Sequence, residues 1–386
     1  MSDPIYLDTN ATTAIDPRVA KAMEPYLYEH FGNPSSSHIY GQRTRAAVDK
    51  ARERVATMLG CTSGEVLFTS GGTESNNTVL KGVAELYWED KGHIITTCFE
   101  HPAILEPCLW LERHGFRVTR LGVDATGKIR MQELEEALTE DTRLVSIMHG
   151  NNEVGTLQNL SVIAKKVHEV GGWLHTDASQ SIGKTRVKVD ELGVDFLTVA
   201  GHKLYAPKGV GALFIREGLS LPSFLHGAGH ESGRRAGTEN VLLVAGLGKA
   251  SELVEVEQSE ELIRIKRLRD NFWHSLHSSL GEAVCRFGHP EQVLVNTLNV
   301  GFRHVNASQM LEGLADTVVA SAGAACHSET GEGMISAVLQ AMGASPDYAR
   351  GAVRFSLGRW TTEDEIRQVV SACLQTYRQL GFATGA

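Results

Sequence analysis

The sequence lacks the features that would tie it to a membrane, a metal or a nucleic acid. No window approaches the roughly 18 unbroken apolar residues of a membrane-spanning helix, so no span is expected. No basic stretch precedes an apolar run after Met1-Ser2-Asp3-Pro4, so no signal peptide is expected and cytoplasmic localisation is. The six cysteines, Cys61, Cys98, Cys108, Cys285, Cys326 and Cys373, are scattered without one Cys-x-x-Cys pair. That spacing suits reduced thiols and offers neither a disulfide framework nor a zinc site. The neighbours Cys326 and His327 alone do not make a metal site, and none is expected. The formal net charge of -9 speaks against direct nucleic-acid binding. Internal repeats and low-complexity segments are missing as well.

What is present is ordinary globular composition, 42% hydrophobic and 22% charged, over 386 residues. That length predicts two domains and allows a large core. Strand-like apolar runs fall at 66–69, 94–97, 117–121, 144–149, 173–177, 196–200 and 211–215. Between several of them the period turns helical: Val48, Ala51, Val55 and Leu59 form one stripe, and Ile163, Ala164 and Val167 begin another. Strands alternating with helices predict an α/β fold with a parallel, doubly wound sheet. From about Glu252 to Leu280 a charged helical pattern leads into a second domain, with strands expected at 294–300 and 353–357. Thr362 and Glu365 have capping-box spacing, and Ile366, Val369, Val370, Cys373 and Tyr377 give the final helix its buried stripe. The segment from Ile5 to about Pro17 is too short for a domain and is expected to pack on one of the two.

Asp177 closes one predicted strand and Lys203 lies just after the next, where ligands bind on such sheets. An acid and a lysine so placed suit pyridoxal 5'-phosphate (PLP). The amine bonds the cofactor aldehyde, and the carboxylate keeps the pyridine nitrogen protonated so that the ring accepts electrons. Each residue also has a plain reading, a helix cap for Asp177 and a surface lysine for Lys203.

Other strand ends carry polar groups. Ser70-Gly71-Gly72-Thr73-Glu74 turns into a helix whose free N–H groups suit a phosphate, or simply forms a helix cap. His101 is placed to stack on a ring and relay protons, Asn152 to hydrogen-bond a ring oxygen or a carboxylate, and Gln180 to reach the ring oxygen. An Asx turn explains Asn152 equally well. The turn Arg234–Asn240 suits phosphate or a surface loop. Arg354, beginning a second-domain strand, suits a bidentate grip on an α-carboxylate or a surface ion pair. Cys326 stands in a small-residue, polar stretch, 321–333, that predicts an exposed loop. A thiol there, beside His327, is more reactive than a packed one.

Together these segments resemble the cysteine desulfurase family, class V aminotransferases of fold type I. The resemblance spans nearly the whole chain and is carried by Tyr6-Leu7-Asp8, Asn10-Ala11-Thr12-Thr13, Gly32–His38, Thr69–Asn77, Glu100-His101, Asn151-Asn152-Glu153, His175-Thr176-Asp177, Gly201-His202-Lys203, Arg235–Asn240 and the Cys326 loop, in the family's order. It implies a fold type I PLP-dependent transferase. The large domain, 15–255, would hold a mostly parallel seven-stranded sheet flanked by helices. A smaller α+β domain, 1–14 and 256–386, would carry the Cys326 loop and Arg354.

The resemblance also implies roles. Lys203 would hold PLP and move a proton at the substrate Cα, Asp177 would pair with the ring nitrogen, Gln180 with the ring hydroxyl, and His101 would stack on the ring. Gly72, Thr73 and His202 would cradle phosphate, joined by Thr238 from the other subunit of a homodimer. Asn33, Asn152 and Arg354 would hold the substrate carboxylate, with Ala11 and Thr12 lining that pocket. Cys326 would take sulfur from L-cysteine as a persulfide, leave L-alanine, and pass the sulfur to an acceptor such as an iron–sulfur scaffold or a DNA- or RNA-thiolation protein.

Three departures stand out. Ala200 occupies a position where the family often has a phosphate-binding serine. Gly227-Ala228-Gly229-His230-Glu231 replaces the usual Gly-Gly-Gly-Gln-Glu. The loop Gly323-Ala324-Ala325-Cys326-His327-Ser328 is worded like that of selenocysteine lyases, so L-selenocysteine is an alternative substrate. An inactive PLP-binding scaffold and a plain transaminase are the remaining readings. No defect in Lys203, Asp177 or Cys326 supports the scaffold, and Cys326 argues against transamination.

Overall fold

The structure, a computed structural model, describes residues 3–322 and 335–381. Strand β1 (Ile5–Tyr6) opens it. Seven strands then build one sheet: β2 (Val66–Thr69), β3 (His93–Thr97), β4 (Arg117–Leu121), β5 (Thr142–Ser146), β6 (Trp173–Asp177), β7 (Phe196–Ala200) and β8 (Gly211–Ile215). Their order is β2-β8-β7-β6-β5-β3-β4. Only β8 runs against its neighbours in this sheet; the remaining pairings are parallel.

Both faces of the sheet are covered, which explains why its strands read as continuous apolar runs. Phe68, Ile95, Val145, Leu197 and Phe214 enter one core with Val48, Val55, Ile163 and Val167. Their sequence neighbours Leu67, Ile94, Leu144, Phe196 and Leu213 enter the opposite core with Val79, Leu80, Ile104 and Leu111. The two edges are protected differently. β4 carries Arg117 and Arg120 on an exposed edge. At the buried edge β2, the Phe68 N–H donates to Glu231 (3.0 Å) and the Val66 carbonyl accepts from Arg52 (2.9 Å), while Arg52 and Glu231 pair at 2.7 Å. Partnered charges thus cover the free edge groups.

A second sheet combines β9 (Val284–Phe287), β10 (Thr297–Phe302) and β12 (Ala352–Ser356), all antiparallel; β1 pairs in parallel with β11 (Val318–Val319). The third core lies here, around Leu268, Phe272, Val300, Phe355, Ile366 and Cys373. The helix Val241–Leu280 joins the cores: Leu247 and Val254 belong to the first, Ile265 through Leu280 to the third. The expected boundary at 255/256 therefore falls inside one unbroken helix.

Several sequence expectations need correction. The strand expected at 144–149 ends at Ser146, because the chain bends away to form the rim of a cavity. That expected at 294–300 begins only at Thr297, since Leu294 instead bonds the Gly155 carbonyl (2.8 Å). The last strand sits one residue earlier than expected. The short strands β1, β9 and β11 had no run long enough to announce them. The N-terminal segment packs on both units rather than one: Leu7 enters the third core, while the Thr13 N–H bonds the His202 carbonyl (3.0 Å). The capping box of the last helix, Glu363–Gln379, forms as expected.

Candidate active site

Five strands, β2, β3, β5, β6 and β7, end on one side of the sheet, and the segments after them line a cavity of about 530 Å3. β2 is followed by Gly72, Thr73 and Asn76, β3 by His101, β5 by Met148, Gly150 and Asn152, β6 by Asp177, Ser179 and Gln180, and β7 by Ala200, His202 and Lys203.

Asp177 is buried at the end of β6 and has two donors. Asn76 Nδ2 donates to its Oδ2 (2.7 Å), and the Ser179 N–H donates to its Oδ1 (2.9 Å). Two residues earlier, the buried His175 sits between the hydroxyls of Ser146 (2.8 Å) and Thr198 (3.1 Å). Burial lowers its pKa to about 4, so the ring is neutral.

At the other end of the cavity the helix Gly72–Leu86 starts from Gly71, whose φ of 146° favours glycine. A Cβ on Gly72 would come within 3.1 Å of Ser179 Oγ and 3.5 Å of the Ala200 Cβ. The first turn of a 15-residue helix therefore meets the ends of two other strands, with the Thr73 and Ser179 hydroxyls beside it. His202 Nδ1 lies 3.1 Å from Thr12 Oγ1. Desolvation first, and the Lys203 charge next, lower its pKa to about 4, leaving a neutral ring with one N–H to offer.

His101 caps the helix Pro102–Arg113, its Nδ1 accepting from the Ala103 N–H (3.1 Å). Glu100 beside it is buried; its Oε1 accepts from the Met148 N–H (2.8 Å) and Thr97 Oγ1 (2.9 Å), while its Oε2 has no hydrogen bond among the described residues. Burial pushes that carboxyl up to about 8. Lys203 Nζ donates to the carbonyls of Asn10 and Ala11, the latter at 2.8 Å, which ties the amine to the N-terminal segment.

Arg354 is buried next to the cavity without lining it. It donates to Asp8 Oδ1 (2.6 Å) and to the Asn152 carbonyl (3.0 Å), and its Nε has no hydrogen bond among the described residues. Asn33 and Thr238 are exposed and do not line this cavity within one chain. Cys326 lies outside the described residues. On either side of its segment, the Ser321 and Arg354 backbones exchange hydrogen bonds of 3.2 and 2.7 Å, and Ser336 Oγ donates to Glu153 Oε1. The other five thiols lie among the described residues. Burial raises the pKa of each, reaching about 12 for Cys61 and Cys108 and about 11 for Cys285, and so holds them protonated.

Sequence reasoning missed Asn76, Ser179, Glu100 and Lys184. Asn76 sits one helical turn after Gly72, a spacing that could have pointed to it. A buried lysine has no sequence signal of its own.

The donors present suit PLP: a buried carboxylate for the ring nitrogen, a glycine-started helix with hydroxyls for the phosphate, and an amine between them. The same chain matches a model of the class-V aminotransferases over residues 5–369. It is 44% identical to the cysteine desulfurase IscS of Dictyoglomus turgidum over 95% of this chain and 92% of that protein. Among solved structures, a NifS-like protein is 37% identical, with a TM-score of 0.90 and coverage of 98% and 100% of the two chains. SspA in complex with cysteine is 35% identical, with a TM-score of 0.80 and coverage of 93% and 100%.

Proposed function

The chain belongs to the class-V aminotransferase family, and on that premise we propose that it is a PLP-dependent cysteine desulfurase whose sulfur carrier is Cys326. The observation carrying this reading is the convergence of Lys203, Asp177, His101 and the Gly72–Thr73 helix start on one cavity. Bound PLP supplies an electron sink for bond breaking around the substrate Cα.

The chain's own residues do the rest. Asp177, held in place by Asn76 and the Ser179 N–H, would pair with the ring nitrogen. Thr73, Ser179, His202 and the free N–H groups of the helix would hold the phosphate, and Gln180 would donate to the ring oxygen. Ser179 supplies a hydroxyl near the place where Ala200 lacks one. Lys203 would hold the cofactor by its aldehyde and is placed to move the proton at the substrate Cα; His101 would stack on the ring and assist. Asn152, Ala11 and Thr12 shape the substrate pocket. The unpartnered Nε of Arg354 supports a role for that residue, with Asn33, in holding the carboxylate. Cys326 attacks the sulfur of L-cysteine: the S–S bond forms, the substrate C–S bond breaks, and Cys326 persulfide and L-alanine result. The persulfide sulfur then goes to an acceptor protein, an iron–sulfur scaffold or a nucleic-acid thiolation protein.

The desulfurase relatives favour sulfur over the selenocysteine lyase reading of the loop. Among the described residues no helix is long and apolar enough to cross a membrane, and the cytoplasm is the proposed location. A homodimer is proposed as well. Leu27, Tyr28, Phe31, Ile39 and Tyr40 are exposed in one short stretch, a face that suits a second copy bringing its Thr238 to the phosphate.

The test is anaerobic incubation with L-cysteine without reductant, followed by peptide-resolved mass analysis. Extra sulfur on the Cys326 peptide together with L-alanine is expected. Unmodified Cys326 without alanine would overturn the proposal. Alanine release at least tenfold faster from L-selenocysteine would replace sulfur by selenium.

A further inference from the structure

Lys184 has no part in the chemistry above, yet it is buried beside the cavity and pairs with no carboxylate among the described residues. Its Nζ has two oxygen partners, Gln180 Oε1 at 2.8 Å and Asn10 Oδ1 at 3.2 Å. The loop returns it there: Ser181 and Ile182 N–H groups bond the Ala178 carbonyl, and Lys184 and Thr185 N–H groups bond the Ser181 carbonyl, so Lys184 stands one turn beyond Gln180.

We propose that Lys184 is a positioning residue that fixes which end of the Gln180 amide faces the cofactor's ring oxygen. The proposal rests on the function reading above.

The argument is one of donors and acceptors. Asn10 is oriented independently of Lys184. Its Nδ2 donates to Thr297 Oγ1 (2.8 Å) and the Asn152 carbonyl (3.2 Å), and its Oδ1 accepts from Asn296 Nδ2 (3.0 Å). Lys184 therefore meets two oxygens and must donate to both. That assigns the Oε1 end of Gln180 to Lys184 and turns its Nε2 toward the backbone carbonyl of Asn10, at 2.8 Å. One amide hydrogen is used there and the second is left for the cavity that Gln180 lines. Flipping the amide would set its oxygen against the Asn10 carbonyl and give up the Lys184 N–H to Oε1 contact. Burial, with the Lys203 and Arg354 charges, lowers the Lys184 pKa well below its ordinary value, and an uncharged amine still donates to both oxygens.

The experiment uses the holoenzyme and reads the pH midpoint of the visible absorption band of bound PLP for the parent, Lys184→Met, Gln180→Leu and the double variant. A ring oxygen that loses a donor holds its negative charge less well, so each single variant is expected to move the midpoint upward by about one unit. The double variant is expected to match the singles, because Lys184 acts through Gln180. An unmoved midpoint in Lys184→Met, or shifts that add, overturns the proposal. If Lys184→Met does not fold, Lys184→Gln, whose amide can still donate, is expected to keep the parent midpoint; a shift as large as that of Gln180→Leu overturns it. Failure of the parent to bind PLP would sink the function reading instead.

Discussion

Among the described residues neither Glu100 nor Lys184, both sealed from water, has an opposite charge beside it, and their pKa values move in opposite directions. The folded chain holds Glu100 protonated up to about pH 8, whereas an unfolded glutamate ionises near ~4.3. Between those values the folded state binds more protons, so this group's contribution to stability falls as pH rises. Glu100→Gln keeps the shape and removes the titration. Its unfolding free energy relative to the parent is expected to increase steadily from pH 5 to pH 8 in urea titrations. For Lys184 the sign reverses: the unfolded state binds more protons up to about 10.4, so stability rises with pH below that value. Lys184→Met is expected to flatten that rise and to unfold at a higher temperature than the parent at pH 7. Ser179 gives a binding prediction: Ser179→Ala, with the hydroxyl beside the helix start removed, is expected to weaken PLP retention about tenfold in equilibrium dialysis, the size of one charge-assisted hydrogen bond. Asp177, Lys203 and His101 were legible because each closes or follows a strand of clear pattern. Asn76, Ser179, Glu100 and Lys184 were not, because their partners come from strands and turns far away in sequence.

At the scale of elements, strand interiors were legible and strand ends were not. Runs such as 66–69 and 196–200 are apolar on both faces and match β2 and β7 residue for residue. The apolar residues Ile147 and Met148 extended the expected strand too far; they are buried as the wall of a bend, not as a ladder. The 40-residue helix was underestimated for another reason: its first eleven residues bury Val244, Leu247 and Ala250, so the charged pattern that marks it begins only afterwards. In that first part a Cβ on Gly248 would come within 2.6 Å of the Cα of Ala51. Glycine to alanine inside a helix ordinarily gains about 1 kcal/mol. Here the obstructing atom is backbone on a packed helix, so overpacking dominates. Gly248→Ala is expected to lose about 1–3 kcal/mol in urea unfolding, while an alanine at an open helical glycine would gain.

For the whole molecule, the exposed stretch 27–40 is the feature that a single chain leaves unused. Phe31 is 74% exposed and its ring lies 5.5 Å from that of Tyr40. The proposed dimer predicts a particle of twice 42.0 kDa in sedimentation. Phe31→Glu is expected to give the monomer and, by removing the second copy's Thr238, to release PLP faster on dilution. A wild-type monomer that retains PLP equally well would refute both points. One chain's sequence shows none of this, because an interface between copies leaves no period in the pattern.

The tie between Asn10 and the far end of the chain also sets a timetable. The Asn10 N–H bonds Ser356 Oγ, 346 positions later. During synthesis at roughly 5–20 residues per second, the N-terminal segment emerges on the order of 20–70 s before that partner exists. The segment whose carbonyls hold Lys203 gains this anchor only after nearly the whole chain has been made. A ribosome-bound chain can therefore complete the large sheet before the tie between Asn10 and Ser356 can form.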